Sequence, residues 1–218
     1  MRVRLLLAVA ATFAIAGLGW LGRPHESGDV PGPRPAAERP ELALLTSLPL
    51  VFGESFSIEG GGSPALTRLE QRYRVVPIGV ADEASLKGKS LLLMAHPRAQ
   101  PAEALVDLDN WLREGGHLLL LADPKLDWPS ERPLGDLLRS PPVFADTGLL
   151  DHWGLQLSSA GLASKGKCDV SDEGLIAHCN IGRGQATVIA DADFLNVDAP
   201  DADGLDLLAS ELDRLETR

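Results

Sequence analysis

The sequence predicts an α/β domain whose mostly parallel sheet is covered by helices on both faces. Near-continuous apolar runs such as SLLLMA (90–95) and HLLLLA (117–122) are typical of strands that are buried on both faces. Segments with leucines at helical spacing alternate with these runs, and that alternation favours a parallel sheet. Only 5% of the residues are aromatic, so the core must consist mainly of Leu, Val, Ile and Ala.

The first predicted elements begin near residue 41. LALLTSLPLVF (42–52) is expected to form a strand, and GESFSIEGGGSP (53–64) a polar, Gly-rich loop. Pro64 then begins a helix, and YRVVPIGV (73–80) follows as the second strand. The apolar residues on one face of this helix are Leu66, Leu69 and Tyr73.

The next elements flank the two longest apolar runs. Pro97 ends the first run, and Pro101 is at the first turn of a helix that ends at Gly115-Gly116. The second run follows, and after Pro124 the pattern weakens for about 40 residues. A β-hairpin in the C-terminal half, a last strand in GQATVIADADF (184–194) and a final helix complete the domain. The leucines at helical spacing are Leu105, Leu108 and Leu112 in the first of these helices and Leu205, Leu208, Leu212 and Leu215 in the last.

Residues 1–22 have the pattern of a membrane segment. Arg2 and Arg4 precede eighteen uncharged residues, which as a helix would be roughly 27 Å long, enough for a thin bilayer core. The positive charges place the N-terminus in the cytoplasm. We therefore expect a single-pass anchor in the inner membrane and a periplasmic domain. The alternative is a signal peptide cleaved after Ala16, and either interpretation exports the rest of the chain.

Residues 23–40 separate this segment from the predicted domain, 41–218. They contain five prolines in eighteen residues, which indicates a semi-rigid spacer. The whole chain has a formal net charge of −11 and no basic stripe. Because binding to a phosphate backbone needs clustered Lys and Arg, the composition argues against a nucleic-acid partner.

Carboxylates follow two of the predicted strands. Asp123 ends the run at 117–122, and Asp191 and Asp193 end the last strand. Ligands bind at this edge of open α/β sheets, where such groups can act as bases or hold a metal. They can equally organise loops by accepting backbone N–H groups, and position alone favours this second role. Together with Trp128, in the loop after Asp123, they form the candidate ligand- or partner-binding set.

Catalytic and metal motifs are weak. The acidic stretch 191–206 contains six aspartates but matches only a fragment of a calcium loop, so we expect no metal and expect Asp203 to cap the last helix. No G-x-C-x-G or G-x-S-x-G turn is present, and the sequence therefore predicts no catalytic residue and no cofactor. The five histidines lack paired metal-ligand spacing and are expected to be structural or on the surface: His25, His96, His117, His152 and His178.

The only two cysteines, Cys168 and Cys179, flank a polar SDEG turn. If the centre of that turn lies between Glu173 and Gly174, the two cysteines face each other directly. Opposed residues have Cα atoms roughly 4.5–5.5 Å apart, which suits a disulfide, and a four-residue turn makes them the closer, non-hydrogen-bonded pair. We expect a structural disulfide because the chain is exported. A zinc site with His178 and two free thiols are the alternatives.

Four stretches resemble GldG-like auxiliary proteins of ABC-type transport systems: 44–54, 65–78, 91–136 and 181–196. The most specific parts are a helix-GG-strand-ADP block in the third and a G-x-G…ADADF block in the fourth. The resemblance implies a fold similar to class I glutamine amidotransferases (flavodoxin-like), with no catalysis. It also implies an ABC-type permease, ATPase or other membrane subunit as partner.

We therefore expect a membrane-anchored extracytoplasmic accessory subunit. The first alternative is an amidotransferase-like or metal-assisted hydrolase that uses Asp123, Asp191 and Asp193. The second is a stand-alone periplasmic ligand-binding module.

Overall fold

The computed structural model describes residues 31–52, 62–166 and 168–217. The predicted membrane segment and the first part of the spacer lie outside these residues. Within them, no helix combines the length and apolarity that a bilayer crossing requires. The strands are β1 (Glu41–Thr46), β2 (Arg74–Pro77), β3 (Leu91–Ala95), β4 (His117–Leu121), β5 (Leu155–Ser158), β6 (Gly161–Ser164), β7 (Cys168–Ser171), β8 (Ile176–Ile181) and β9 (Gly184–Ile189). The α-helices are α1 (Pro64–Glu70), α2 (Glu83–Leu86), α3 (Ala102–Arg113), α4 (Leu149–His152) and α5 (Gly204–Glu216).

Seven strands form one mixed sheet in the order β2-β1-β3-β4-β9-β8-β7. The first five of these pair in parallel, and β8 runs antiparallel to both β9 and β7. The predicted mostly parallel sheet is therefore confirmed, as is a β-hairpin in the C-terminal half. The small antiparallel pair β5–β6 was not predicted.

Helices cover both faces of the sheet because residues in the central strands alternate between two buried clusters. Leu92 and Met94 of β3 belong to a cluster that also holds the apolar side chains of α2, α3 and α4. Leu91 and Leu93 belong to the other cluster, with those of α1 and α5. This double burial explains why the strands are continuous apolar runs instead of alternating patterns.

Local signals set most helix boundaries. Ser63 accepts a hydrogen bond from the backbone N–H of Leu66 (3.1 Å) at the start of α1, and Gly115, with φ of +112°, follows the end of α3. The expectation that Asp203 caps α5 was wrong: it precedes the helix but makes no capping bond, because its backbone is helical and not extended. The four predicted leucines of α5 are fully buried.

The compact unit begins at Pro31, so the last ten residues of the spacer pack against the domain. The guanidinium of Arg34 binds the carboxylate of Glu216 (2.8 Å) and that of Asp213 (3.2 Å) at the end of α5. Arg72 contacts the same Asp213. Since β1 begins and α1 and α5 end beside this network, residues 31–40 join the domain at the amino-terminal edge of the sheet.

The two most specific blocks of the resemblance meet across β4 and β9. The backbone N–H of Gln185 donates to the carbonyl of Gly116 (3.2 Å), and that of Arg183 donates to the carbonyl of Arg113 (3.1 Å). The β8–β9 turn thus supplies donors to the C-terminal end of α3. A β-carbon on Gly184 would lie 2.1 Å from the carbonyl oxygen of Gly116. The G-x-G signature therefore permits close backbone contact between the β8–β9 turn and the end of α3.

The disulfide is confirmed in the predicted register. Cys168 faces Cys179 with a Cα–Cα separation of 4.4 Å, the spacing of a non-hydrogen-bonded pair. The last pair before the turn is Ser171 with Ile176, which leaves the four-residue loop that the sequence favoured. Both cysteines are buried in the cluster that includes Trp153. The bond indicates a domain that folds in an oxidising, extracytoplasmic compartment.

Candidate functional site

The carboxyl edge of the sheet brings together three of the four candidate binding residues. Leu121 at the end of β4 pairs with Ile189 at the end of β9, so the residues that follow these strands emerge side by side. As a result, carboxylate oxygens of Asp123, Asp191 and Asp193 lie within 4.8 Å of one another. Among the described residues this is the one group of three or more metal-ligand side chains that lies so close together.

These carboxylates accept hydrogen bonds from backbone amides. Asp123 is buried, and its two oxygens accept the N–H groups of Lys125 (2.7 Å) and Ala192 (2.9 Å). Asp191 accepts the N–H of Asp193 (2.8 Å), which in turn accepts that of Asp127 (2.9 Å). The loops after β4 and β9 are therefore joined through side chains of both.

The surroundings of Asp193 raise the pKa of its carboxyl group. Burial raises the pKa of its carboxyl, and the neighbouring carboxylates of Asp123, Asp191 and Asp127 raise it further, whereas the bond from the Asp127 N–H lowers it. The three aspartates offer oxygen ligands of the kind that Mg²⁺ and Ca²⁺ prefer. Both oxygens of Asp123 and one oxygen each of Asp191 and Asp193 already accept backbone amides, so loop support is the role that the described contacts account for.

Trp128, the fourth candidate, lies further along the same loop. Its side chain is half-buried and packs against the cluster beneath α1 and α5. It is therefore in part a core residue.

Replacing Asp123 tests the capping role. In Asp123→Asn one of the two amides would face an N–H donor instead of an oxygen, and we expect a loss of about 1–3 kcal/mol in the free energy of unfolding. Urea unfolding measures it, with the exposed Asp201→Asn as a control expected to stay within about 0.5 kcal/mol of wild type. Equal stabilities of the two variants would contradict the capping role.

His96, which the sequence placed as structural or surface, is a buried residue of this edge. It directly follows β3 and has a left-handed backbone (φ +44°), which is uncommon for a non-glycine residue. Its Nε2 lies 2.9 Å from the carbonyl of Pro141 and must be the donor, while its buried Nδ1 has no hydrogen-bond partner among the residues that the structure describes. The only feature of the sequence that could have indicated this role is the Ala-His-Pro sequence (95–97) at the end of the apolar strand β3.

The pKa of His96 gives a prediction about pH. Burial lowers it, and the bond to Pro141 and the nearby Asp123 carboxylate oppose that effect. The folded state thus takes up a proton less readily than the unfolded state, whose pKa is 6.5. The contribution of neutral His96 to the free energy of unfolding should therefore be fully present above pH 6.5 and decrease as the pH falls below that value.

We expect His96→Asn, which tolerates the left-handed backbone, to have a smaller loss of stability than wild type between pH 7.5 and pH 5.5. Urea midpoints of both proteins at the two pH values measure the difference. If wild type gains stability on acidification, or if the two proteins respond equally, this assignment fails.

Residues 124–148 contain no helix or strand, and we call them the cover loop. Phe144 donates its N–H to the carbonyl of Asp123 (2.8 Å), and Leu126 donates to that of Pro142 (2.9 Å), which closes the base of the loop. The hydroxyl of Ser140 binds the carbonyl of Ser47 after β1 (2.8 Å). The cover loop is thus tied to the ends of several strands, an architecture often found in binding loops.

Two clefts mark opposite edges of the sheet. One, of about 370 Å³, lies at the carboxyl edge beside Thr46, Pro49 and Leu138 of the cover loop. The other, of about 530 Å³, lies at the amino-terminal edge beside Trp111 and Lys87. The three carboxylates line neither of them.

Comparison with known proteins gives no family for this chain, because no family model and no curated protein matches it. Solved structures with a similar arrangement include the exo-β-1,4-mannosidase Op5Man5 from Opitutaceae bacterium strain TAV5, at 12% identity and a TM-score of 0.45 over 81% of this chain. The cytoplasmic protein STM3548 from Salmonella typhimurium is similar over 80% of this chain and 98% of its own, at 11% identity and a TM-score of 0.43. This chain spans about a third of the mannosidase, 36% of its length. Likeness at this level assigns no activity.

Proposed function

We propose that this chain is a membrane-anchored, extracytoplasmic accessory subunit that binds proteins of an ABC-type transport system and has no catalytic activity of its own. The resemblance to GldG-like auxiliary proteins motivates the transport system, and residues 1–22 motivate the anchor. One structural observation carries the non-catalytic part. The carboxylates that would have to do chemistry at the carboxyl edge accept backbone amides across two loops.

The resemblance to GldG-like proteins implies a fold similar to that of class I glutamine amidotransferases. Those enzymes place a nucleophile on a sharp turn after a strand. Here β3 is followed by His96 and Pro97, and β4 by Ala122, Asp123 and Pro124. Neither of these two junctions has the Cys or Ser that acyl transfer would need, and Ser47, which follows β1, donates its hydroxyl to the carbonyl of His96 (2.5 Å). This supports a binding role for the edge, with Asp123, Asp191 and Asp193 as supports for the loops that contact a partner.

Cross-linking of intact membranes tests the proposal. The tagged full-length chain is cross-linked, purified under denaturing conditions, and its partners are identified by mass spectrometry. We expect permease and ATPase subunits of one ABC system, and a membrane fraction that resists carbonate extraction. A soluble protein whose mature N-terminus is Gly17 would contradict the anchor. Partners without any transport subunit would contradict the assigned system.

A hydrolase remains the competing function, because the three carboxylates lie close enough to share a cation. It predicts divalent metal that survives dialysis and a turnover that Asp193→Asn abolishes. The proposed function predicts neither.

A further inference from the structure

Four large apolar side chains of the cover loop are exposed: Leu134, Leu137, Leu138 and Val143. Leu134 and Leu137 are 87% and 85% exposed, and Leu138 is 68% exposed. Among the described residues only two other large apolar side chains are so exposed. One of them, Phe52, lines the carboxyl-edge cleft together with Leu138. The exposed apolar surface is therefore concentrated at this edge.

Two consecutive β-turns hold the leucines outward. The N–H of Asp136 donates to the carbonyl of Pro133 (3.2 Å), which places Leu134 at the tip of the first turn. The N–H of Arg139 donates to the carbonyl of Asp136 (3.1 Å), which places Leu137 and Leu138 at the tip of the second. Turn tips are normally Gly, Asn, Asp or Ser, so leucines at all three positions point to contact with another molecule.

The turns are fixed to the domain. The carboxylate of Asp136 accepts the N–H of Leu138 (2.7 Å), and the guanidinium of Arg98 binds the carbonyl of Arg139 (2.5 Å). Gly135, with φ of +88°, supplies the left-handed residue of the first turn. A surface held in this way is pre-organised, so little ordering entropy opposes binding.

Charge selects the kind of partner. In a chain of net charge −11, the guanidinium groups of Arg98 and Arg139 flank the leucines and donate to main-chain carbonyls, and Arg132 pairs with Asp136. A second copy docked on the same surface would bring like guanidinium groups together. The local charge therefore favours a different protein that carries carboxylates.

We propose that the turns of residues 133–139 form the docking surface for a partner protein with an apolar face flanked by carboxylates. This inference rests on the proposed function and specifies which surface of the accessory subunit carries the contact. The surface lies at the edge opposite to the one where residues 31–40 join the domain, so both can be engaged at once.

Site-specific photo-cross-linking of the full-length chain in cells tests it. A photo-reactive amino acid replaces Leu137 or, as a matched control, Val106, an exposed apolar residue of α3 that is 60% accessible. We expect an adduct with another protein, identified by mass spectrometry, at position 137 and about tenfold less at position 106. Arg98→Glu combined with Arg139→Glu should weaken that adduct about tenfold, because it opposes the partner's carboxylates.

A second variant guards against misfolding of the charge-reversed protein. Leu134→Ser with Leu137→Ser changes exposed tips only, and it should keep the wild-type melting temperature but lose capture of the identified partner. Four results would each contradict the proposed docking surface. They are an adduct of two copies of the chain, binding to vesicles of anionic phospholipid, equal adducts at positions 106 and 137, and no adduct at position 137. Transport subunits that co-purify without this adduct would leave the proposed function intact, whereas an adduct with a protein unrelated to transport would contradict that function alone.

Discussion

Gly184→Ala is expected to be the most destabilising single change, with a loss of about 3 kcal/mol or more in the free energy of unfolding. The new β-carbon would lie 2.1 Å from the carbonyl oxygen of Gly116 and 2.3 Å from that of Leu112. Both are backbone atoms at the end of α3, so relief requires the helix and the β8–β9 turn to separate. That movement would also stretch the hydrogen bond from Gln185 to Gly116.

Urea unfolding measures the loss. The matched control is Gly79→Ala, because Gly79 is exposed, has no positive φ, and has no atom within 4 Å of the new β-carbon. It should remain within about 0.5 kcal/mol of wild type. Equal effects at Gly79 and Gly184 would show that the G-x-G block has no special packing role.

Removing the disulfide is expected to have the second largest effect. Cys168→Ala with Cys179→Ala should cost roughly 2–3 kcal/mol, because the bond closes a short loop and restricts the unfolded chain. The cysteines are eleven residues apart and both side chains are buried. A small hole in the cluster beside Trp153 would add to the loss.

Thermal unfolding with and without reductant separates the two contributions. Reductant should lower the melting temperature of wild type and leave that of the double variant unchanged. Thiol labelling of native protein should find no free cysteine before reduction. Two readily alkylated thiols in the unreduced protein would contradict the assignment.

Periodicity made the core predictable. The continuous apolar strands, the leucine face of α5 and the cysteine register all follow from regular geometry, in which sequence spacing fixes which side chains meet. The proximity of Asp123 to Asp191 and Asp193 could also be anticipated, because parallel strands end at a common edge. The strand order that makes β4 and β9 neighbours came only from the structure.

Features that depend on contacts between distant residues could not be predicted from the sequence. His96 contacts Pro141 of the cover loop, which lies 45 residues further along the chain. Nothing in the local sequence pattern indicates that contact. The cover loop lacks periodicity, so its turns and exposed leucines could not be distinguished from solvent-facing loop residues. Asp203 matched the composition of a helix cap, but its backbone conformation prevents the bond.

The central claim is that the carboxylates at the carboxyl edge support loops and perform no chemistry. Asp193 has a raised pKa because of burial and the neighbouring carboxylates, so its folded state loses stability as the pH rises above the unfolded value of 3.8. The penalty is present at pH 7, which is above that value. Asparagine at this position would remove the charge and keep an oxygen for the Asp127 N–H.

The most direct measurement is the melting temperature of Asp193→Asn beside wild type at pH 7, in chelator and in millimolar Mg²⁺ or Ca²⁺. We expect the variant to melt higher than wild type in chelator and neither protein to respond to the cations. A wild-type protein that gains stability from a cation, together with a variant that does not, would contradict the claim and favour metal-assisted chemistry at this edge.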